Sequence, residues 1–251
     1  GGDVQLPGLL YGQVLRSPHG HARIKSIDTT KAEALEGVRA VVTGLGDLPL
    51  TKGDETVDLG EGPAKLKYMR DNILATNKVL YRGHAVAGVA ATSLHIAEEA
   101  LGLIDVEYEV LPSYTNVLDA MKKDAVLLHE DLTTEEFGDN TGTKSNIASH
   151  NQDKLGDISK GFDEAEFVAE YEVNTATVHQ GYIEPHNGTA SWSLDGNLTI
   201  WTSTQGSFTA RGQLGAVLDV PVQKVKVVPQ EIGGGFGGKI PIYLEPVAAL
   251  L

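Results

Sequence analysis

The chain has 251 residues and carries 34 acidic against 20 basic side chains, for a formal net charge of −14, with 41% hydrophobic and 22% charged residues. That length allows one large or two ordinary domains with a sizeable core, and two is the expectation. An acidic balance without a basic stripe argues against nucleic-acid binding; the absence of cysteine excludes disulfides, thiolate metal sites and iron–sulfur ligation within these residues; and no apolar run approaches the ~18 residues of a membrane span, so a cytoplasmic location is the default.

In chain order, "LLYGQVLR" at 9–16 and "SPHGHARIKSID" at 17–28 read as two short strands around a proline turn, and "VRAVVTG" at 38–44 as a buried, β-branched strand. The acidic, glycine-bearing stretch from Asp47 to Pro63 suits an exposed loop. "HAVAGVAA" at 84–91 predicts a buried strand, Thr92 or Ser93 a helix cap, "LHIAEEALGLI" an amphipathic helix and "IDVEYEVLP" at 104–112 a half-buried strand. The first domain therefore mixes α and β. From Leu127 to Gly156 the chain is polar and shows neither helical nor strand periodicity, which reads as a linker. Beyond it "AEFVAEYEVNTATV" at 165–178 predicts a long strand, and "NGTASWSLDGNLTIWTSTQ" at 187–205 a hairpin whose Asp195-Gly196 pair suits a type I′ turn. A helix from about Ser207 to Leu218 and a strand "KVKVVPQ" at 224–230 follow. The missing initial methionine and the uncapped apolar pattern "LEPVAALL" at the end read as a piece excised from a longer protein.

Five of the six residues Gly233–Gly238 are glycine, and Lys239 follows. Gly233, Gly235 and Gly238 satisfy a dinucleotide-binding spacing, but a glycine run meets any such pattern, and Glu245 is too close to hold a ribose. Gly233–Lys239 also fits the start of a phosphate-binding loop, yet the magnesium-ligating hydroxyl is replaced by Ile240. The bland reading is a tight turn. Against it, glycine is less favourable than alanine in regular structure by about 0.5–1 kcal/mol each, so a run of them predicts that something lies directly on the backbone. Among other candidates, His19 and His21 are expected at a turn and the surface, and Lys239 as an exposed lysine. His179, Glu184 and His186 lack zincin spacing and read as a buried, hydrogen-bonded segment. No G-x-S-x-G occurs, so Ser207 is not a nucleophile.

"TSTQGSF" at 202–208, "VQKVKVVPQEIGGGFGGK" at 222–239 and "GYIEPHNGTASW" at 181–192 resemble the molybdopterin-binding large subunit of the xanthine dehydrogenase and aldehyde oxidase family. "LPGLLYGQVLRSPHGHARIKSID" and "VLYRGHAVAGVAATSLHIAEEALGLIDVEYEVLPSYTNVLDAM" are similar to that family's α/β hammerhead domain. Within the family, "GHAVAGVAA" and "GGKIPIYLEP" resemble aerobic carbon monoxide dehydrogenase large subunits and their relatives. The resemblance implies an α+β fold: a hammerhead domain at 1–123, a linker at 124–156, and the first part of a molybdopterin-binding domain at 157–251. It implies a molybdenum hydroxylase using a molybdenum–molybdopterin cofactor, in the cytosine dinucleotide form. FAD and iron–sulfur clusters would sit on partner subunits in a hetero-oligomer. Gln205 would hydrogen-bond the metal's oxo ligand, Phe236 would bring its backbone to the ligand sphere, and Gly235 and Gly237 would leave that approach open. The family's substrate glutamate is Ile240 here, which speaks against purines, and its catalytic base lies outside these residues, so the piece alone is expected to be inactive. The competing expectations are a subunit-docking module without its own cofactor and, on Lys239 alone, an ATP-binding protein.

Overall fold

A computed structural model of the chain describes residues 2–51, 55–59 and 62–251. Two compact units emerge, Gly1–Leu111 with Gln180–Leu251, and Pro112–His179. The first segment gives β1 (Tyr11–Arg16), β2 (Ala22–Asp28), α1 (Thr30–Glu33), β3 (Val38–Thr43), β4 (Thr56–Asp58), β5 (Pro63–Lys65), α2 (Leu66–Ile73), β6 (Lys78–Val79), β7 (Ala85–Ala91), α3 (Leu94–Leu101) and β8 (Asp105–Val110). Strand β7, all small or β-branched, is buried at every residue because it runs between antiparallel β1 and β3. The central strand of a second sheet is β2, between β6 and β8, so the two strands flanking Pro18 belong to different sheets. Ser93 caps α3 as its position predicts, its Oγ accepting from the Ile96 amide at 3.3 Å.

Two expectations fail in this segment. Over Asp47–Pro63 the described residues are only in part an exposed loop: Asp47, Leu50 and Glu55 are exposed, but Leu48 and Val57 are buried, and β4 pairs with β5. Those apolar side chains join the core formed by α2 and the C-terminal segment, where acidic neighbours do not prevent their burial. The rest of that stretch, 52–54 and 60–61, lies outside the described residues. His21 is not at the surface but 1% exposed, beside the buried Ala22 that opens β2.

In the unit Pro112–His179 lie α4 (Val117–Ala120), β9 (Thr133–Glu136), β10 (Asp139–Lys144), β11 (Ser149–His150) and α5 (Ile158–Asp163). The polar stretch read as a linker holds a small sheet in the order β10-β9-β11. Its hairpin turns at Phe137-Gly138, both at positive φ (53° and 91°), and Asp139 pairs with Glu136. Every residue of β10 is exposed, so the strand carries no buried face and no alternation that a sequence could advertise. The long strand predicted at 165–178 is absent. Phe167, Tyr171 and Val173 are all about 85% exposed, and a strand without a neighbour to pair with or a surface to cover has no source of stability.

The chain then returns to the first unit with β12 (Gly188–Trp192), β13 (Leu198–Thr202), α6 (Ser207–Leu218), β14 (Val225–Pro229) and α7 (Glu245–Leu250). Central β13 is antiparallel to β12 and, across α6, parallel to β14. The hairpin exists, but its turn is type I with a glycine bulge rather than type I′. Only Gly196 has a positive φ, and the Gly196 amide donates to the Ser193 carbonyl at 2.9 Å. Leu198, Ile200, Leu214 and Val217 pack with Leu66 and Ile73 in one core, so this unit is closed by residues far apart in sequence. Buried Gln213 bridges them: its Nε2 donates to the Asp58 carbonyl at 2.9 Å, and its Oε1 accepts from the Ile242 amide at 3.0 Å.

Candidate functional site

Because β13 and β14 are parallel, their carboxyl ends lie side by side, the place where open α/β sheets take ligands. From β13 emerges Ser203–Gly206, and from β14 the run Gly233–Lys239. Hydrogen bonds knit them. The Gln205 amide donates to the Lys239 carbonyl at 2.9 Å, and Gln205 Oε1 accepts from the amides of Gly237 (3.0 Å) and Lys239 (3.2 Å). Within the run the Gly238 amide donates to the Gly235 carbonyl at 2.8 Å. Gln205, Gly235, Phe236 and Gly237 thus form one cluster.

What lies against the glycines differs from expectation. A Cβ on Gly233 would come 2.5 Å from Glu184 Cβ, on Gly235 2.5 Å from Gln205 Oε1, and on Gly238 2.9 Å from Tyr182 Cε1. The bareness of those three is required by the chain's own side chains. Gly234 and Gly237 have φ of +94° and +86°, and a Cβ on Gly237 would meet nothing. Between them Phe236 holds a left-handed φ of 49°, and the residue is 73% exposed. A bulky residue in that region is strained, and such strain gathers at functional sites.

Two residues that sequence reasoning missed organise this loop. Lys239, expected at the surface, has a fully buried side chain. Its Nζ donates to Glu184 Oε2 at 2.8 Å and lies 4.9 Å from the centre of the Tyr182 ring. The same carboxylate oxygen accepts from the Gly233 amide at 2.8 Å, while Oε1 accepts from Ser203 Oγ at 2.6 Å and Asn187 Nδ2 at 3.2 Å. Lys239 foremost, then Ser203, Gly233 and Asn187, hold the Glu184 carboxyl down at about 2, so it is a carboxylate throughout the neutral range. The only sequence trace was that Glu184 lies in "YIEPH", a segment read as buried and hydrogen-bonded. Glu184 is hydrogen-bonded as read, but none of residues 179–186 is buried: His179 is exposed, and Glu184 and His186 are half-buried. His186 packs edge-on between Tyr182 and Tyr243. Among the described residues no group of three or more His, Cys, Asp and Glu could hold a metal ion.

The hydrogen-bonding capacity this cluster leaves unused is that of donors. Among the described residues, the amides of Gly234, Gly235 and Phe236 donate to no protein acceptor. With Gln205 Oε1 doubly engaged, its Nε2 is left to donate. Consecutive amides around left-handed residues make a concavity for anionic oxygens, so the donor set fits an anionic or oxo-bearing group. Beside it opens a cleft of about 320 Å³ lined by Leu59, Pro63, Gly237, Gly238, Ile240 and Tyr243. Among the described residues no helix is long and apolar enough to cross a membrane.

Comparison with known proteins agrees with this arrangement. Residues 2–112 match the aldehyde oxidase and xanthine dehydrogenase α/β hammerhead domain, and residues 140–251 match the molybdopterin cofactor-binding domain. The chain is 35% identical over 254 residues to a probable xanthine dehydrogenase subunit of Bacillus subtilis, and 36% identical over 257 residues to the carbon monoxide dehydrogenase large chain of Afipia carboxidovorans. Each alignment covers 99% of this chain and 30% of the relative, so the chain spans less than a third of their length. Its fold superposes on a crystal structure of the Cu,Mo-CO dehydrogenase with a TM-score of 0.79 at 33% identity, covering 99% of this chain and 31% of that one. An aldehyde oxidoreductase from Desulfovibrio gigas, 21% identical, shares the fold with a TM-score of 0.76. With a hammerhead domain followed by molybdopterin-binding sequence, the chain belongs to the xanthine dehydrogenase and aldehyde oxidase family of molybdopterin-binding proteins.

Proposed function

We propose that this chain is part of the molybdenum-cofactor-binding catalytic subunit of a molybdenum hydroxylase. The observation that carries the reading is the cluster at the carboxyl ends of β13 and β14, where Gln205 Nε2 and the amides of Gly234, Gly235 and Phe236 are left without a protein acceptor among the described residues. Gln205, Gly235, Phe236 and Gly237 would hold the molybdenum end of a molybdopterin cofactor, in the cytosine dinucleotide form. When bound, that group supplies two-electron oxidation of a carbon centre with water-derived oxygen, or of carbon monoxide. The residues of this chain bind and orient: Gln205 Nε2 would donate to an oxo-type acceptor, and the Gly234–Phe236 amides would donate to anionic oxygen. The proton-transfer residue lies outside these residues.

The domain division consistent with this role is a hammerhead domain at 1–123, a connecting stretch at 124–156 and cofactor-binding sequence at 157–251. An iron–sulfur subunit and an FAD subunit would carry electrons away in a cytoplasmic hetero-oligomer acting on a small molecule. The lining of the cleft, with Leu59, Ile240 and Pro241, offers no carboxylate to pair with the ring N–H groups of a purine, which speaks against that substrate. Metal and pterin analysis of the complete protein tests the reading. Stoichiometric molybdenum is expected, and Gln205→Ala should retain the fold while slowing turnover about 10–100-fold. A complete protein reproducibly free of molybdenum and pterin would overturn it in favour of a docking module.

A further inference from the structure

We propose that Glu184 and Lys239 are the positioning residues of this site: their ion pair, buried on the lysine side, closes the glycine run into a ring, and through it fixes the Gln205 carboxamide and the amides of Gly234–Phe236. The inference rests on the reading of those groups as cofactor contacts. The run begins at Gly233 and ends at Lys239, and one atom, Glu184 Oε2, takes the first residue's amide and the last residue's ammonium, each at 2.8 Å. The carboxylate cannot swing, because Ser203 Oγ and Asn187 Nδ2 hold its other oxygen. Ser203 Oγ also lies 3.2 Å from the Glu231 carbonyl, which can share the same hydroxyl proton and places the anchor beside the chain entering the run.

Lys239 then transmits the anchoring. Its side chain is seated on Glu184, its amide donates to Gln205 Oε1, and its carbonyl accepts from the Gln205 amide and from Thr204 Oγ1 at 3.3 Å. Any shift of the ammonium therefore moves the two groups that decide where Gln205 Nε2 points. A glycine run has no side chains with which to lock itself, and its entropy favours many conformations. Apolar residues at 184 and 239 could fill the volume at least as stably as a buried ion pair does. They could not supply directional bonds to both ends of the loop.

The test uses the complete subunit carrying Glu184→Gln, Lys239→Met, the two together, or Gln205→Ala. Hydrogen exchange is followed in peptides covering 231–241 and, for reference, 85–91, alongside the paramagnetic resonance spectrum of the reduced metal centre. Each single variant should speed exchange in 231–241 by about tenfold or more and leave 85–91 within about twofold, with the spectrum displaced as Gln205→Ala displaces it. Should a single variant fail to fold, the double variant, which buries neither charge alone, is read by the same criteria. Unchanged exchange in 231–241, or equal acceleration in both segments, overturns the positioning role. A spectrum indifferent to Gln205→Ala instead overturns the cofactor reading, and the exchange result still decides the ion pair.

Discussion

The ion pair beneath the glycine run carries a pH signature of its own. Glu184 is held from an ordinary 4.5 down to about 2, first by Lys239 and then by Ser203. At roughly 1.4 kcal/mol per pH unit that difference corresponds to about 3 kcal/mol of stability, and the side chain's residual exposure lowers a realistic figure to about 2–3 kcal/mol. The carboxyl binds its proton less readily folded than unfolded. The contribution is therefore complete above the unfolded value near 4.5 and fades as pH falls through about 2.

Glu184→Gln removes this contribution at neutral pH. Thermal unfolding at pH 7 should show the variant lower by about 4–12 °C, from about 2–4 °C for each kcal/mol in a chain of this size. At pH 3 only about half of the linkage free energy survives in the parent protein, so the gap between the two should shrink by about half. Comparing variant with parent at each pH cancels every other titrating group, including buried His84, whose pKa is lowered by burial. A gap of the same size at pH 7 and pH 3 would refute the reasoning, since it would mean that Glu184 does not titrate in this interval.

Other substitutions probe separate parts of the argument. Gly44→Ala drives a Cβ into the backbone carbonyls of Ala75 and Leu74, which cannot move aside, and should destabilise by about 3 kcal/mol; Gly46→Ala meets nothing and should stay within about 0.5 kcal/mol by the same chemical denaturation. Trp192→Phe removes the indole N–H that donates to the Ala249 carbonyl at 2.8 Å and should lower stability by about 1 kcal/mol. Leu214→Ala, in the core joining α6 to α2, should lose about 2–5 kcal/mol in a denaturant titration.

Much of the fold was legible because its signals are local. The buried run at 84–91, the Ser93 cap, the alternation at 105–110 and the helix after Gly206 all declare themselves within a few residues. The errors fall where structure depends on distant partners. Leu48 and Val57 sit among acidic residues yet find a core supplied by α6, over a hundred residues away. The exposed hairpin at 133–144 has no apolar face to betray it, and its left-handed Phe137 disguises a tight turn that asparagine or glycine would have announced. Conversely, 165–178 has strand-like composition and finds nothing to pair with.

Lys239 shows the same principle at the site. A lysine after a glycine turn belongs on the surface unless a carboxylate waits inside, and that carboxylate, Glu184, is 55 residues upstream. The glycine run was legible as exceptional but not for its immediate reason. One side of the strip is bare because Glu184, Gln205 and Tyr182 press on Gly233, Gly235 and Gly238. That inner packing uses the amides of Gly233, Gly237 and Lys239 and leaves those of Gly234, Gly235 and Phe236 unengaged. The left-handed φ of Phe236 is a strain that a turn built only for packing has no need to retain, since it works against stability. The two sides of the strip therefore call for separate explanations: the chain's own side chains for one and, on the proposed function, a ligand's oxygens for the other.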